Sequence, residues 1–151
     1  MINELFNVEK MKFIDKYFKY ITYDEIKNNS KYLIIDLRTG KEFNFKHLSH
    51  SVHLPLLDDC RSIKLEGMFE NRTYFSTVIK SIFYIIPRLS KIRKEIKKLE
   101  SGNRMIVLAC RHARIRSRSI AMYVNIFGSN VLVLEKGVNS ILKLNKKEIL
   151  Y

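Results

Sequence analysis

The sequence predicts an α/β domain built around a mainly parallel β-sheet. Short, continuous apolar runs carry that expectation: Tyr32-Leu33-Ile34-Ile35, Met105-Ile106-Val107-Leu108-Ala109 and Val131-Leu132-Val133-Leu134. They lack the alternation of a half-exposed strand, as strands covered on both faces do. Helical spacings of apolar residues separate them, the order of elements that builds a parallel sheet with covering helices. A third observation singles out one end of the sheet. Cys110 directly follows the second run, and ligands of such sheets bind at the carboxyl ends of the strands.

Each element follows in turn. Val8, Met11, Ile14, Phe18 and Ile21 are spaced for a helix over residues 8–20. Thr22 or Asp24 is placed to cap a short helix through Ile26. Lys31 to Leu37 is the first buried strand, with Asp36 emerging at its carboxyl end. Ser51 to Leu56 reads as a second strand, stopped by Pro55. Leu57 to Arg72 is mixed and partly helical, and Thr73 to Leu99 is strongly helical, so a helical insertion is expected over about 57–100. Pro87 lacks an N–H donor and is expected to kink or divide it. Ile92, Ile96 and Leu99 recur among lysines there, an amphipathic pattern. Ser101-Gly102-Asn103 ends the insertion. Strand Met105–Ala109, the Cys110 loop and a helix, Ser119 to Phe127, come next, with Gly128 as the stop. Gly137 introduces a last helix, Asn139 to Leu150.

The 151 residues fit a single domain, 1–151, and five glycines and two prolines leave little room for disorder. The 28 Lys+Arg against 15 Asp+Glu give a net charge of +13, which favours RNA or anionic substrates. A lysine-rich proteome would give the same excess. Two cysteines exclude a disulfide framework and suit a reducing cytosol. The amino terminus lacks a basic stretch followed by a long apolar one, and the apolar Ser81–Pro87 is too short to span a bilayer. The expectation is a cytoplasmic protein with no membrane association.

Leu33-Ile34-Ile35-Asp36-Leu37-Arg38, Glu42-Phe43, His47-Leu48 and Ser51-Val52-His53-Leu54-Pro55-Leu56 come in the order of the rhodanese-like domain, which this chain resembles. The strand, cysteine loop and helix from Ile106 to Phe127, then Val133-Leu134-Glu135-Lys136-Gly137, continue the resemblance. Cys110 to Ala121 is similar to the loop in the rhodanese half of the tRNA 2-selenouridine synthases. It has the same length and keeps the cysteine and Arg116-Ser117-Arg118-Ser119 in register. His53-Leu54-Pro55-Leu56-Leu57-Asp58-Asp59-Cys60-Arg61, followed by a long helical stretch, resembles that family too.

The resemblance spans roughly Ile21 to Leu142. It implies a rhodanese-like three-layer fold with Cys110 as the catalytic thiol and no bound cofactor. It also implies replacement of sulfur by selenium at wobble 2-thiouridine of tRNA, through a geranylated intermediate, with selenophosphate or another sulfur or selenium donor as substrate. No Gly-x4-Gly-Lys-Ser/Thr is present, so it implies a separate P-loop subunit as partner beside tRNA, an arrangement known among methane-producing archaea. The chain departs from the family at its loop glycines, replaced by Ala113 and Arg114, and at its tryptophan, replaced by Arg111. Two glycines of the first motif are replaced by Lys46 and His50. Glycine permits positive φ, so a cradle of altered shape is expected.

A rhodanese cysteine works as a thiolate or carries sulfur or selenium as a persulfide or perselenide, which needs anion-stabilising donors around it. Cys110 lies between a buried strand and a helix start, where N–H groups and the helix dipole favour negative charge. Arg111, His112, Ala113, Arg114, Ile115, Arg116 and Ser117 are the candidate anion and substrate site, with the backbone N–H groups of 111–116 as a nest. Arg118 and Arg104 are candidates for RNA or partner contacts. Asp36 and Arg38 read as structural support at a strand end. His47, His50 and His53 straddle a loop and a strand, so no metal site is expected. His112 could contact substrate, and Cys60 reads as incidental.

Other functions stay open. Cys110-x5-Arg116-Ser117 also fits the loop of cysteine phosphatases, and the cell-cycle dual-specificity phosphatases share the rhodanese fold. The Arg-Ser-Arg-Ser block fits the selenouridine family better. A plain sulfurtransferase and a non-catalytic docking module are further readings.

Overall fold

The apolar runs become the interior of a five-stranded, all-parallel sheet. A computed structural model describes residues 16–62, 74–113, 115–144 and 149–150. Its strands are β1 (Lys19–Ile21), β2 (Tyr32–Asp36), β4 (Ser51–His53), β5 (Met105–Ala109) and β6 (Leu132–Leu134), in the order β1-β6-β5-β2-β4. β3 (His47–Leu48) pairs antiparallel with β7 (Ile149–Leu150) in a separate two-stranded ribbon. Its helices include α1 (Tyr23–Ile26), α2 (Gly40–Phe45), α3 (Tyr74–Glu100), α4 (Ile115–Ile126) and α5 (Gly137–Leu144).

Alternate residues of the strands enter two separate cores, which is why the runs are continuously apolar. Leu33, Ile35, Ile106, Leu108 and Val133 pack with Ile92 and Ile96 of α3 and Ile120 and Val124 of α4. Ile34, Val107, Ala109, Leu132 and Leu134 pack with Tyr23 and Ile26 of α1 and Val138 and Ile141 of α5. The result is three layers, helix on sheet on helix. Ile35, Val107, Leu108 and Val133 have no exposed surface at all. Truncating one of these side chains to alanine typically costs about 2–5 kcal/mol.

Register sets the working edge. Asp36 lies beside His53 on β4 and Ala109 on β5, so the residues just beyond them emerge together. Leu37 N–H donates to Ala109 O and Leu54 N–H to Asp36 O, which extends the alignment past the strands. This pairing shortens the second expected strand to Ser51–His53.

Several expectations are corrected. Residues 19–21 form β1 rather than the end of a helix, because β6 offers a ladder to that segment. Residues 8–15 of the expected first helix lie outside the described residues. So does 63–73, most of the segment read as mixed. Pro87 does not divide α3, which runs unbroken from Tyr74 to Glu100. Pro87 is exposed, so the carbonyl it leaves without a partner can face water. α4 begins at Ile115, placing Arg116, Ser117 and Arg118 on its first turns. The last helix starts at Gly137 and ends at Leu144, and Ile149–Leu150 is a strand against β3. Gly128 closes α4 at φ +86°, as expected of a helix stop. Among the described residues no helix is long and apolar enough to cross a membrane.

Candidate active site

Cys110 follows β5 directly and is buried, 3 % exposed. Its Sγ lies 3.2 Å from the Oγ of Ser117, itself fully buried on the first turn of α4. The sulfur is therefore tucked beneath its loop against a hydroxyl, while Arg111 and His112 above it are exposed. The hydroxyl can donate to a thiolate or accept from a thiol.

The last crossover holds this loop from behind. Val138 N–H donates to Cys110 O at 3.0 Å and Asn139 N–H to Arg111 O at 3.3 Å, both from the start of α5. Gly137 sits at φ +73°, and a Cβ there would come within 2.7 Å of Ala113 N, Arg111 O and His112 Cα. Glycine is required twice over, by backbone conformation and by space. Ala113 is at φ +50° and His50 at φ +59°. Both stand where the resemblance leads one to expect glycine, and both have the left-handed backbone that glycine favours. Lys46, the third such position, is extended at φ −161°, which any residue adopts. Arg114 lies outside the described residues, and Ile115 opens α4.

The arginines of the loop meet a carboxylate, Glu42, that belongs to a motif of the sequence but not to the candidate site residues. Arg111 Nε is 3.1 Å from Glu42 Oε1, and Arg116 Nη1 donates to Glu42 Oε2 at 3.4 Å. Glu42 is on the first turn of α2, where Thr39 is the N-cap. Thr39 N–H donates to Oε2 at 3.0 Å, and Glu42 N–H donates to Thr39 Oγ1 at 3.4 Å, a capping box. Burial pushes the Glu42 carboxyl up, but the Thr39 N–H and the Arg116 and Arg111 guanidinium groups outweigh it and hold it below its ordinary value. Thr39-x-x-Glu42 is visible in the sequence as a capping signal. Its pairing with an arginine 74 positions away is not.

The remaining candidates take separate posts. Asp36 and Arg38 form a buried pair. Arg38 Nη2 donates to Asp36 Oδ2 at 2.7 Å, Arg38 Nε reaches both carboxylate oxygens, and Arg38 N–H donates to Oδ1. Nη2 also donates to Lys46 O at 2.8 Å, tying the strand end to the end of α2. The Arg118 guanidinium lies over the Tyr20 ring of β1, 5.3 Å from its centroid. Arg104 precedes β5, at the opposite end of the sheet from Cys110, and lines a cavity of about 530 Å³ with Tyr23, Tyr32 and His50. It is therefore not part of the cysteine site. His47 and His53 stack on Phe43 at 4.1 and 4.4 Å. Their ring nitrogens face the backbone oxygens of Phe43 and Arg38. Cys60 is exposed.

A three-layer α/β domain with a cysteine in the strand-to-helix loop at the carboxyl edge of a parallel sheet is the architecture of a rhodanese. The sequence matches the rhodanese-like domain family over residues 19–144, and the chain belongs to that family. The fold is similar to the N-terminal domain of a protein assigned as ATP/GTP-binding from Clostridium difficile 630. That match has a TM-score of 0.76 and 22 % identity, covering 83 % of this chain and 98 % of that one. It is also similar to a rhodanese-related protein from Thermoplasma volcanium, with a TM-score of 0.56, 18 % identity and coverage of 88 % and 98 %. No curated protein matches the sequence.

Proposed function

We propose that this chain is the rhodanese-domain subunit of a tRNA 2-selenouridine synthase, acting through Cys110 with a separate P-loop subunit. The observation that carries the reading is the disposition of Arg116-Ser117-Arg118-Ser119. This block, in register with the family's, puts Ser117 on the Cys110 sulfur and Arg116 at the rim of the same loop. The fold it shares with an N-terminal domain of a protein assigned as ATP/GTP-binding supports a nucleotide-binding partner. The net charge of +13 supports a tRNA substrate.

The test combines the protein with its P-loop partner, selenophosphate, a geranyl donor and tRNA bearing 2-thiouridine. Nucleoside mass spectrometry is expected to find 2-selenouridine, and Cys110→Ser is expected to abolish it. Failure of that conversion, with Cys110-dependent transfer from thiosulfate to cyanide, would leave a plain sulfurtransferase. There the thiolate takes the outer sulfur and releases sulfite, and cyanide leaves as thiocyanate.

A second reading has its own observation. In Cys110-x5-Arg116-Ser117 the serine after the arginine is the one that touches the sulfur, an arrangement that suits a phosphocysteine-forming phosphatase. Cys110-dependent hydrolysis of p-nitrophenyl phosphate would favour it.

A further inference from the structure

Two arginines at the mouth of the cysteine loop already hold an anion, and it belongs to the protein. Glu42 bridges Arg111 and Arg116 with one contact to each, at 3.1 and 3.4 Å. We propose that Glu42 is an exchangeable internal anion, which a substrate oxyanion displaces from Arg111 and Arg116, so that Glu42 sets the affinity of the site. This rests on the reading of the Cys110 loop as an anion cradle.

Three observations support exchange over a fixed pair. First, Glu42 keeps partners when the arginines leave. Thr39 N–H still donates to its carboxylate, and its own N–H still donates to Thr39 Oγ1. Second, the arginines lie near solvent, with side chains 45 % exposed for Arg111 and 29 % for Arg116, so turning away costs them little desolvation. Third, the Arg38–Asp36 pair in the same molecule shows what a permanent contact looks like. It is at most 3 % exposed, multidentate and as short as 2.7 Å. The contacts of Glu42 are longer and single. The ligand that fits is a small oxyanion of two negative charges, since it must outcompete one carboxylate for two guanidinium groups.

Inorganic sulfate, a dianion that does not react with thiols, is the probe. It is titrated by calorimetry at constant ionic strength into the wild type and into Glu42→Gln. Glutamine also completes a capping box, so α2 keeps its start. The expected result is sulfate binding about fivefold tighter in Glu42→Gln, the size of one rim ion pair. The Arg111 and Arg116 Nε–H resonances of the wild type are expected to move on titration. Equal or weaker binding in the variant overturns the exchange and leaves the anion cradle standing. Tighter binding with unmoved arginine resonances also overturns it, since Glu42 would then act by repulsion alone. No sulfate binding in either protein overturns both the exchange and the cradle.

Discussion

Asp36 with Arg38, and Glu42 with Arg111 and Arg116, are built from the same functional groups within one edge of the same sheet. The first pair is at most 3 % exposed and shares several hydrogen bonds. The second lies at the rim, with one contact per arginine. Burial separates their roles. A guanidinium sealed away from water cannot lose its carboxylate without stranding a charge, whereas one at the surface exchanges it for water or for another anion. The buried pair fixes the frame in which the loop sits. The rim set is the part free to answer a ligand.

The sharpest way to break this contrast is Arg38→Met. It leaves Asp36 buried without its partner and is expected to cost about 3–5 kcal/mol in urea unfolding. A loss under about 1 kcal/mol would put this pair in the same class as the rim. Gly137→Ala comes next. Its Cβ would press on three backbone atoms of the Cys110 loop at a positive φ, for about 1–3 kcal/mol of lost stability. Slower Cys110-dependent formation of 2-selenouridine in tRNA should accompany it, and unchanged kinetics would mean that the hold of α5 on the loop does not matter to the reaction.

Glu42→Gln is expected to change stability by less than about 1 kcal/mol at neutral pH. Its signature is in acid. The folded carboxyl titrates below its ordinary value of 4.5, so its contribution is complete above that value and is lost as the pH falls through the lowered one. The wild type should lose more stability than the variant as the pH falls below 4.5, and parallel acid limbs would refute this. The smallest effect is Ala113→Gly, which relieves φ +50° but frees the unfolded chain. Thermal melting should show a change of only a few tenths of a kcal/mol.

The sheet was legible because its inner strands are buried on both faces. Tyr32–Asp36, Met105–Ala109 and Leu132–Leu134 announce themselves as unbroken apolar runs. Short segments at the margins were not legible. Lys19–Ile21 and Ile149–Leu150 owe their form to partners far along the chain, and no local period records such a partner. At Pro87 the local signal misleads, since a single missing hydrogen bond on an exposed face does not end a helix anchored by Ile92 and Ile96. At the site, the place of Cys110 at a strand end and of Ser117 in the following segment is readable from order and spacing, whereas Gly137 reads only as the start of the last helix and its packing against the loop is not readable. Glu42 was present as a capping residue and a family motif, but its second partnership forms only when α2 and the loop are folded together.

The pairing of Lys19 with Leu132 and of Ile21 with Leu134 also bears on how the molecule is made. A ribosome that has released only the first hundred or so residues has exposed a segment whose hydrogen-bonding neighbour does not yet exist. Joining such distant stretches closes a long loop, a slow step in forming any parallel arrangement. Until translation passes Leu134, that margin of the nascent protein is open to chaperones or to stray partners.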